Sequence, residues 1–352
     1  MGFENRMVID DLECAFSPGE TILQVAQNHD IDIPTLCYLK GAEPTGACRI
    51  CVVEVEGARN LVASCSAPAG PGMVVKTATE RVIKARKNYI ELLLSSGHHY
   101  CVTCEADGDC KLQDLAYRYK VETVRFPESP QRYPVEENDL ITRDFSRCIM
   151  CGRCVQACNE VQVNRAISYG YRGTASKIVA TGDRPYMDSD CVFCGECVQA
   201  CPVGALIVKQ SRFKGKPWEL KKVRTTCTYC GVGCQIYLHV KDDRVVKITG
   251  VEDFGPNYGS LCVKGRFGYD FIQDPARLKT PLIKENGEFR EASWDEALDL
   301  VAERLNAIKD ENGPDSLMVL SSARVTNEEN YVAQKFTRAV LGTNNIDHCA
   351  RL

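Results

Sequence analysis

Hydrophobic and polar positions divide the chain into short strand-like and longer helix-like stretches. Near the start, MVIDD and LECAF read as paired strands, with SPGE as the turn. Thr21 opens a helix over TILQVAQNHD, CVVEVEG reads as a strand, and ATERVIKARKNYIELLLSS as a longer helix. The clearest periodicity lies near the other end. ASWDEALDLVAERLNAIKD puts Trp294, Leu298, Val301, Leu305 and Ile308 on one helical face. A Ser293–Glu296 capping box opens that helix and Asn312-Gly313-Pro314 ends it. SLMVLSS then reads as a buried-type strand. Thr326 and Glu329 cap a second helix, NEENYVAQKFTRAVLG, closed by Gly342, and NNID is the next strand. Strand, helix and strand in this order make the unit of a parallel sheet with a right-handed crossover. Ligands of such sheets bind beyond the carboxyl ends of the strands. Chemistry is therefore expected just after NNID.

Length and charge narrow the picture only a little. The 352 residues suggest two or three domains. With 43 basic and 47 acidic side chains, nothing favours nucleic acid as a partner. No apolar run is long enough to span a membrane, and MGFENRMVIDDLEC has neither a basic leader region nor twin arginines. A cytoplasmic location is the expectation.

Cysteine changes the picture. There are 21, many in C-x2-C clusters. Cysteines this close in sequence rarely bridge one another stably but converge readily on one metal centre, so a reducing compartment and metal ligation are expected. Cys37, Cys48, Cys51 and Cys65 are spaced C-x10-C-x2-C-x13-C, and the small residues beside them let a loop wrap closely around a metal centre. Cys101, Cys104 and Cys110 form C-x2-C-x5-C just after His98 and His99; three thiolates need a fourth ligand, and imidazole is the natural candidate. Two runs offset by 43 residues repeat C-x2-C-x2-C-x3-C: Cys148, Cys151, Cys154, Cys158 and then Cys191, Cys194, Cys197, Cys201, the second followed by Pro202. Cys227, Cys230, Cys234 and Cys262 are spaced C-x2-C-x3-C-x27-C, with Lys264 two residues on. These sets take up all but Cys14, read as a small core residue in a strand, and Cys349.

The first set, within GACRICVVEVEG and its surroundings, resembles the plant-type [2Fe–2S] module of hydrogenases and respiratory NADH dehydrogenase. The second resembles the histidine-ligated [4Fe–4S] segment that follows that module. Many relatives place the histidine where this chain has Gly97, so the resemblance implies His99, or else His98. The repeat is similar to the two-cluster bacterial ferredoxin signature, which implies crossed ligation: Cys201 completes the first cluster and Cys158 the second. C-x2-C-G-V-G-C followed by C-x-K-G-R resembles the [4Fe–4S] segment of molybdenum or tungsten bis-pterin oxidoreductases, implying that Lys264 lies between cluster and pterin. Zn2+ also accepts four cysteinates and stays the alternative for the four-cysteine sets.

SSARVTNEENYVAQKFTRAVLGTNNIDHCARL looks like the formate dehydrogenase branch of that family. There the residue after "CAR" plus one is a metal-ligating selenocysteine or cysteine. It would directly follow Leu352, making His348, Cys349 and Arg351 active-site neighbours, with an in-frame UGA or a cysteine codon expected next. The implied fold is multidomain α+β. A β-grasp [2Fe–2S] ferredoxin spans 1–80, the histidine-ligated [4Fe–4S] segment 81–120 and the two-cluster ferredoxin 121–215. The [4Fe–4S] domain of a bis-pterin oxidoreductase spans 216–280, and 281–352 is the first βαβ unit of its α/β domain. The implied cofactors are one [2Fe–2S], four [4Fe–4S] and a Mo or W bis-pterin guanine dinucleotide. The implied reaction interconverts formate and CO2, with flavin-bearing NAD(P)H-oxidoreductase subunits, hydrogenase subunits or ferredoxin as partners. A catalytically empty relay subunit, similar to the large iron–sulfur subunit of NADH dehydrogenase, is the alternative. An iron-only hydrogenase shares the first three modules but would need a different cysteine-rich segment after them. The 352-residue polypeptide alone is expected to show no formate turnover.

Overall fold

The computed structural model describes residues 5–349, which form two compact units, up to Lys221 and from Lys222 onward.

The first unit begins with a five-stranded mixed sheet gripping one helix. The strands are β1 (Arg6–Ile9), β2 (Leu12–Ala15), β3 (Val52–Val55), β4 (Val62–Ala63) and β5 (Val74–Lys76), ordered β2-β1-β5-β3-β4, with β1 and β5 parallel. Helix α1 (Ile22–Asn28) is capped by Thr21, whose hydroxyl accepts from the Gln24 amide while the Gln24 side chain accepts from the Thr21 amide. Ile22, Leu23, Val25 and Ala26 are buried and pack with Met7, Ile9, Val53 and Val75. The turn expected at SPGE lies elsewhere: β1 and β2 are joined by Asp10 and Asp11, both with positive φ (46° and 69°). Two such residues match the twist of a tight hairpin, whereas Ser17–Glu20 leads from β2 into α1.

Helix α2 (Glu80–Ser95), capped by Thr79, joins this sheet to the cysteine-rich part. Arg86, buried on α2, donates to the Val52 carbonyl (2.7 Å) and to the Tyr119 hydroxyl (3.0 Å), tying the sheet to the segment after α3 (Lys111–Arg118). Two small sheets follow. β6 (Glu136–Glu137), β7 (Ile141–Arg143) and β10 (Leu206–Val208) form one, ordered β10-β7-β6; β8 (Ile167–Gly170) and β9 (Lys177–Ala180) form the other. Between them lie the short helices α4 (Arg153–Gln156) and α5 (Glu196–Ala200), one in each half of the cysteine repeat.

In the second unit, β11 (Lys221–Thr226), β12 (Gln235–Lys241) and β13 (Arg244–Gly250) form a sheet, followed by α6 (Val263–Phe267) and the hairpin β14 (Leu282–Glu285)–β15 (Glu288–Glu291). Helix α7 (Trp294–Asn312) has Ser293 as its cap, but only half the expected box forms. The Ser293 hydroxyl accepts from the Glu296 amide, while the Glu296 carboxylate turns to Arg290. Trp294, Leu298, Val301 and Ile308 share one side of α7 and are exposed. β16 (Val319–Ser321) and β17 (Ile346–His348) then pair in parallel across α8 (Asn327–Phe336), as expected, with Ser321 opposite His348.

Candidate metal-cluster sites

The loops between α1 and β3 bring Cys37 and Cys48 together. Each backbone amide faces the other's sulfur, at 3.4 and 3.5 Å. Cys51 and Cys65 form a second contacting pair beside them, and all four are buried. Hydrogen bonding drives the members of each pair apart. Cys37 is lowered to about 5 chiefly by the Cys48 side chain, and Cys51 to about 7 by Cys65, while Cys48 and Cys65 are raised. Cys14, by contrast, sits buried in the sheet core, its thiol raised by burial.

Cys101, Cys104 and Cys110 lie close together: the charge of Cys104 acts on Cys101, and both act on Cys110. Arg147 Nη1 donates to Cys104 Sγ at 3.1 Å, and Lys216 Nζ to the Cys104 carbonyl at 3.0 Å. A Cβ added at Gly204 would stand 2.5 Å from Cys104 Sγ, so only glycine allows this approach. The two histidines differ. His98 Nδ1 meets the Glu128 carboxylate (2.8 Å), whereas His99 is partly buried, its Nε2 facing the Leu93 carbonyl at 3.2 Å. Burial lowers the His99 pKa, which favours the neutral imidazole a metal needs. Gly97 fits the same packing: a Cβ there would come 2.5 Å from the Ser146 carbonyl.

The repeat is visible in the backbone. Met150 and Gly152 in the first run, and Phe193 and Gly195 in the second, have matching positive φ (52° and 79°; 52° and 72°). Such turns point successive amides inward at an anion. The sulfurs cross between runs. Cys154 lies within the charge field of Cys148, Cys151 and Cys201, and Cys191 within that of Cys194 and Cys158. Cys148, Cys151, Cys154 and Cys201 line a cavity of about 30 Å³ with Phe145 and Ile178. Burial pushes Cys148 up to about 11 and Cys151 to about 12, so these thiols give up protons only to a cation that replaces them. Arg143 and Arg153, which sequence reasoning passed over, are the cations that act on these sulfurs, Arg143 on Cys148 and Arg153 on Cys151 and Cys201, while Arg147 serves Cys104. Arg147 could have been singled out because it directly precedes Cys148.

One apolar core joins three of the sites. Leu36, Ile50, Ile90, Leu112 and Ile149 pack with Cys37, Cys48 and Cys151, and Cys110, Cys148 and Cys201 lie against them. The Lys111 amide donates to the Pro202 carbonyl (2.9 Å), linking the residue after Cys110 to the residue after Cys201.

In the second unit the Cys227 amide donates to the Cys234 carbonyl (2.8 Å), closing the loop that carries Cys230. Cys262, Cys230 and the Lys264 ammonium all act on the Cys227 thiol. Asn327, the first residue of α8, donates to the Gly231 carbonyl at 2.7 Å, holding that loop to the carboxyl edge of β16. Cys349 lies at the same edge, with its Sγ 3.7 Å from Ser322 Oγ. The Ala323 amide and the Ser322 hydroxyl hold its pKa below the usual thiol value. His348 is the last residue of β17, directly before Cys349, and Arg351 lies outside the described residues. Among the described residues no three His, Cys, Asp or Glu side chains gather tightly enough for a single metal ion. An iron–sulfur cluster spreads its cysteines wider than one ion does. Buried thiols, inward amides and nearby cations together suit an anionic cluster of that kind.

Known families match in the order the sites occur. Residues 6–80 match a 2Fe-2S iron-sulfur cluster binding domain and 86–125 the NADH-ubiquinone oxidoreductase-G iron-sulfur binding region. A 4Fe-4S dicluster domain matches 136–205, the molybdopterin oxidoreductase Fe4S4 domain 220–274, and molybdopterin oxidoreductase 277–352. A ferredoxin-type series placed before the opening strands of a pterin-binding fold defines the class, and the chain is a subunit of the molybdopterin and iron–sulfur oxidoreductases. Within that class it is homologous to several proteins named as formate dehydrogenases. It is 36% identical to "Putative formate dehydrogenase YrhE" of Bacillus subtilis over 97% of this chain and 39% of that protein. To the NADPH-Fe(3+) oxidoreductase subunit alpha of Geobacter sulfurreducens it is 38% identical over 98% of this chain and 40% of that one. The chain thus spans about two fifths of the length of these relatives. Among solved structures, an NAD+-reducing [NiFe]-hydrogenase in the H2-reduced state matches with a TM-score of 0.57 and 33% identity. That match covers 60% of this chain and 90% of the hydrogenase chain. Among the described residues no helix is long and apolar enough to cross a membrane.

Proposed function

We propose that this chain relays electrons, one at a time, between a Mo or W bis-pterin centre where formate and CO2 interconvert and a partner that exchanges electrons with a nicotinamide, a hydrogenase or ferredoxin. The observation that carries the relay is the shared apolar core, which packs cysteines of three sites into one apolar body. In this reading Cys37, Cys48, Cys51 and Cys65 hold a [2Fe–2S] cluster. His99 (or His98), Cys101, Cys104 and Cys110 hold a [4Fe–4S] cluster. Cys148, Cys151, Cys154 and Cys201 hold the next, Cys191, Cys194, Cys197 and Cys158 its neighbour, and Cys227, Cys230, Cys234 and Cys262 the last.

A bound bis-pterin metal would accept the two electrons of formate oxidation. The chain's own residues govern the onward transfer. Burial limits water, the inward amides would stabilise the reduced and more negative state of the clusters they face, Arg147 that of the Cys104 site, and Lys264 places a cation beside the Cys227 site. Asn327 keeps the cluster loop fixed against the β16–α8 turn, beside Cys349 and Ser322. The hydrogenase likeness and the oxidoreductase-G match support a nicotinamide- or hydrogenase-type partner for the first unit. The likeness to the NADPH-Fe(3+) oxidoreductase subunit favours a second reading, a relay serving another donor and acceptor without formate chemistry.

Anaerobic purification from the native host, with metal analysis, separates the two. Molybdenum or tungsten near one per chain, with formate-dependent dye reduction, is the expected result. Iron without either metal would remove the formate reaction and leave the relay.

A further inference from the structure

Arg143 ends β7 five residues before Cys148, and it is 5% exposed. Its guanidinium lies between two aromatic faces, 4.6 Å from the Phe145 centroid and 4.3 Å from that of Tyr186. Nη2 meets the Glu136 carboxylate at 2.5 Å. Nε and Nη1 are fully buried and make no close, well-aligned hydrogen bond; the Tyr186 hydroxyl, itself buried, meets the guanidinium only loosely. A buried guanidinium whose donors are poorly met is costly unless a further acceptor meets them. Arg143 also lines the cavity bounded by Cys148, Cys151, Cys154 and Cys201. Its charge reaches both halves of the repeat, acting on Cys148 and on Cys191, and the Tyr186 it stacks on lies near Cys154 and Cys197.

We propose that Arg143 is the counter-cation shared by the two ferredoxin-type clusters, its Nε–H and Nη1–H groups directed at cluster sulfur, so that it raises both midpoint potentials together and keeps them matched. The inference rests on the cluster assignment given above. Each cluster becomes one charge more negative on reduction, and a cation held in a dry, low-dielectric setting stabilises the reduced form more than the oxidised one. Because the guanidinium lines the cavity of the first set and its charge also reaches Cys191 of the second, neither cluster gains alone. One-electron exchange between them stays close to balanced.

The full 352-residue chain, reconstituted anaerobically with iron and sulfide, provides the test by redox titration followed by EPR. In Arg143→Gln both ferredoxin-type signals become harder to reduce. At the wild-type midpoint the reduced-to-oxidised ratio falls about tenfold, equivalent to about 59 mV for one electron, while the [2Fe–2S] signal keeps its midpoint. Arg143→Lys, which keeps the charge, recovers most of the shift. Glu136→Gln, which leaves Arg143 in place without its carboxylate, moves both midpoints upward. Unmoved midpoints in Arg143→Gln with the clusters intact overturn the inference, as does a shift confined to one cluster. Should Arg143→Gln fail to load iron, Glu136→Gln decides: a paired upward shift upholds the inference and no shift overturns it. If the wild-type chain itself shows no interacting pair of [4Fe–4S] signals, the cluster assignment fails first and the inference falls with it.

Discussion

His239 gives the second unit a dependence on acid that can be worked out in advance. It lies on β12, buried, with Nε2 2.9 Å from Thr249 Oγ1 on β13. Burial first, and then the charges of Lys247 and Lys222, pull its pKa from 6.5 down to about 4. A base whose folded value is depressed is neutral in both states above 6.5, where it costs nothing. As pH falls through that value the unfolded chain takes up the proton and the folded chain does not, so stability drains away until about pH 4. The full loss is about 3 kcal/mol, and about 2.5 kcal/mol of it is gone by about pH 4.5. His239→Phe keeps the bulk, removes the titration and loses the Thr249 hydrogen bond, a deficit of about 1 kcal/mol. The variant should therefore be the less stable protein at about pH 7.5 and the more stable at about pH 4.5, with the order reversing near pH ~6. Hydrogen exchange of the β12–β13 amides, corrected for the intrinsic effect of pH, reads this locally. The same ranking at both pH values, or an isotope-labelled His239 resonance titrating near the ordinary value of 6.5, would refute the reasoning.

Two further outcomes concern the clusters. In the proposed crossed ligation, Cys201→Ser perturbs the signal of the Cys148–Cys154 site and Cys158→Ser that of the Cys191–Cys197 site, each at a cost of one to four of about 18 iron atoms. The opposite assignment, read by EPR and iron analysis, would mean each run closes on itself. His99→Ala should abolish or convert the Cys101–Cys110 cluster and His98→Ala should spare it, losing the exposed contact with Glu128 and the stacking on Tyr100; a reversed pattern in the EPR spectra transfers the ligand role to His98.

Signals that act over a few residues are legible in the sequence itself. The Thr21 and Thr326 caps sit where an oxygen followed by Gln or Glu three positions on predicts them, because capping is settled within one turn. Cysteine spacing likewise reports which sulfurs can reach a common centre. The features that escape depend on distant partners. Pro-Gly in SPGE is a strong turn signal, yet the hairpin turns at two aspartates, held by Lys76 and Thr77 from β5 and the residue after it. The reciprocal half of the Ser293 box is lost to Arg290 on the neighbouring hairpin. Arg143 looks like any strand-end arginine, since only the folded repeat brings Phe145, Tyr186 and the sulfurs of one cavity around it and Cys191 within reach of its charge.

The apolar core that holds Cys37, Cys48, Cys110, Cys148, Cys151 and Cys201 among leucines and isoleucines also limits how the first unit can be built or rebuilt. Its modules resemble beads that could be cut out and moved between proteins, but their interior is held in common. A chain cut just after β5 would bare one wall of that interior, and an iron-starved cell would leave unligated thiols where hydrocarbon should meet hydrocarbon. For this half of the molecule, delivery of iron and sulfide belongs to the folding pathway itself, and the modules must mature together.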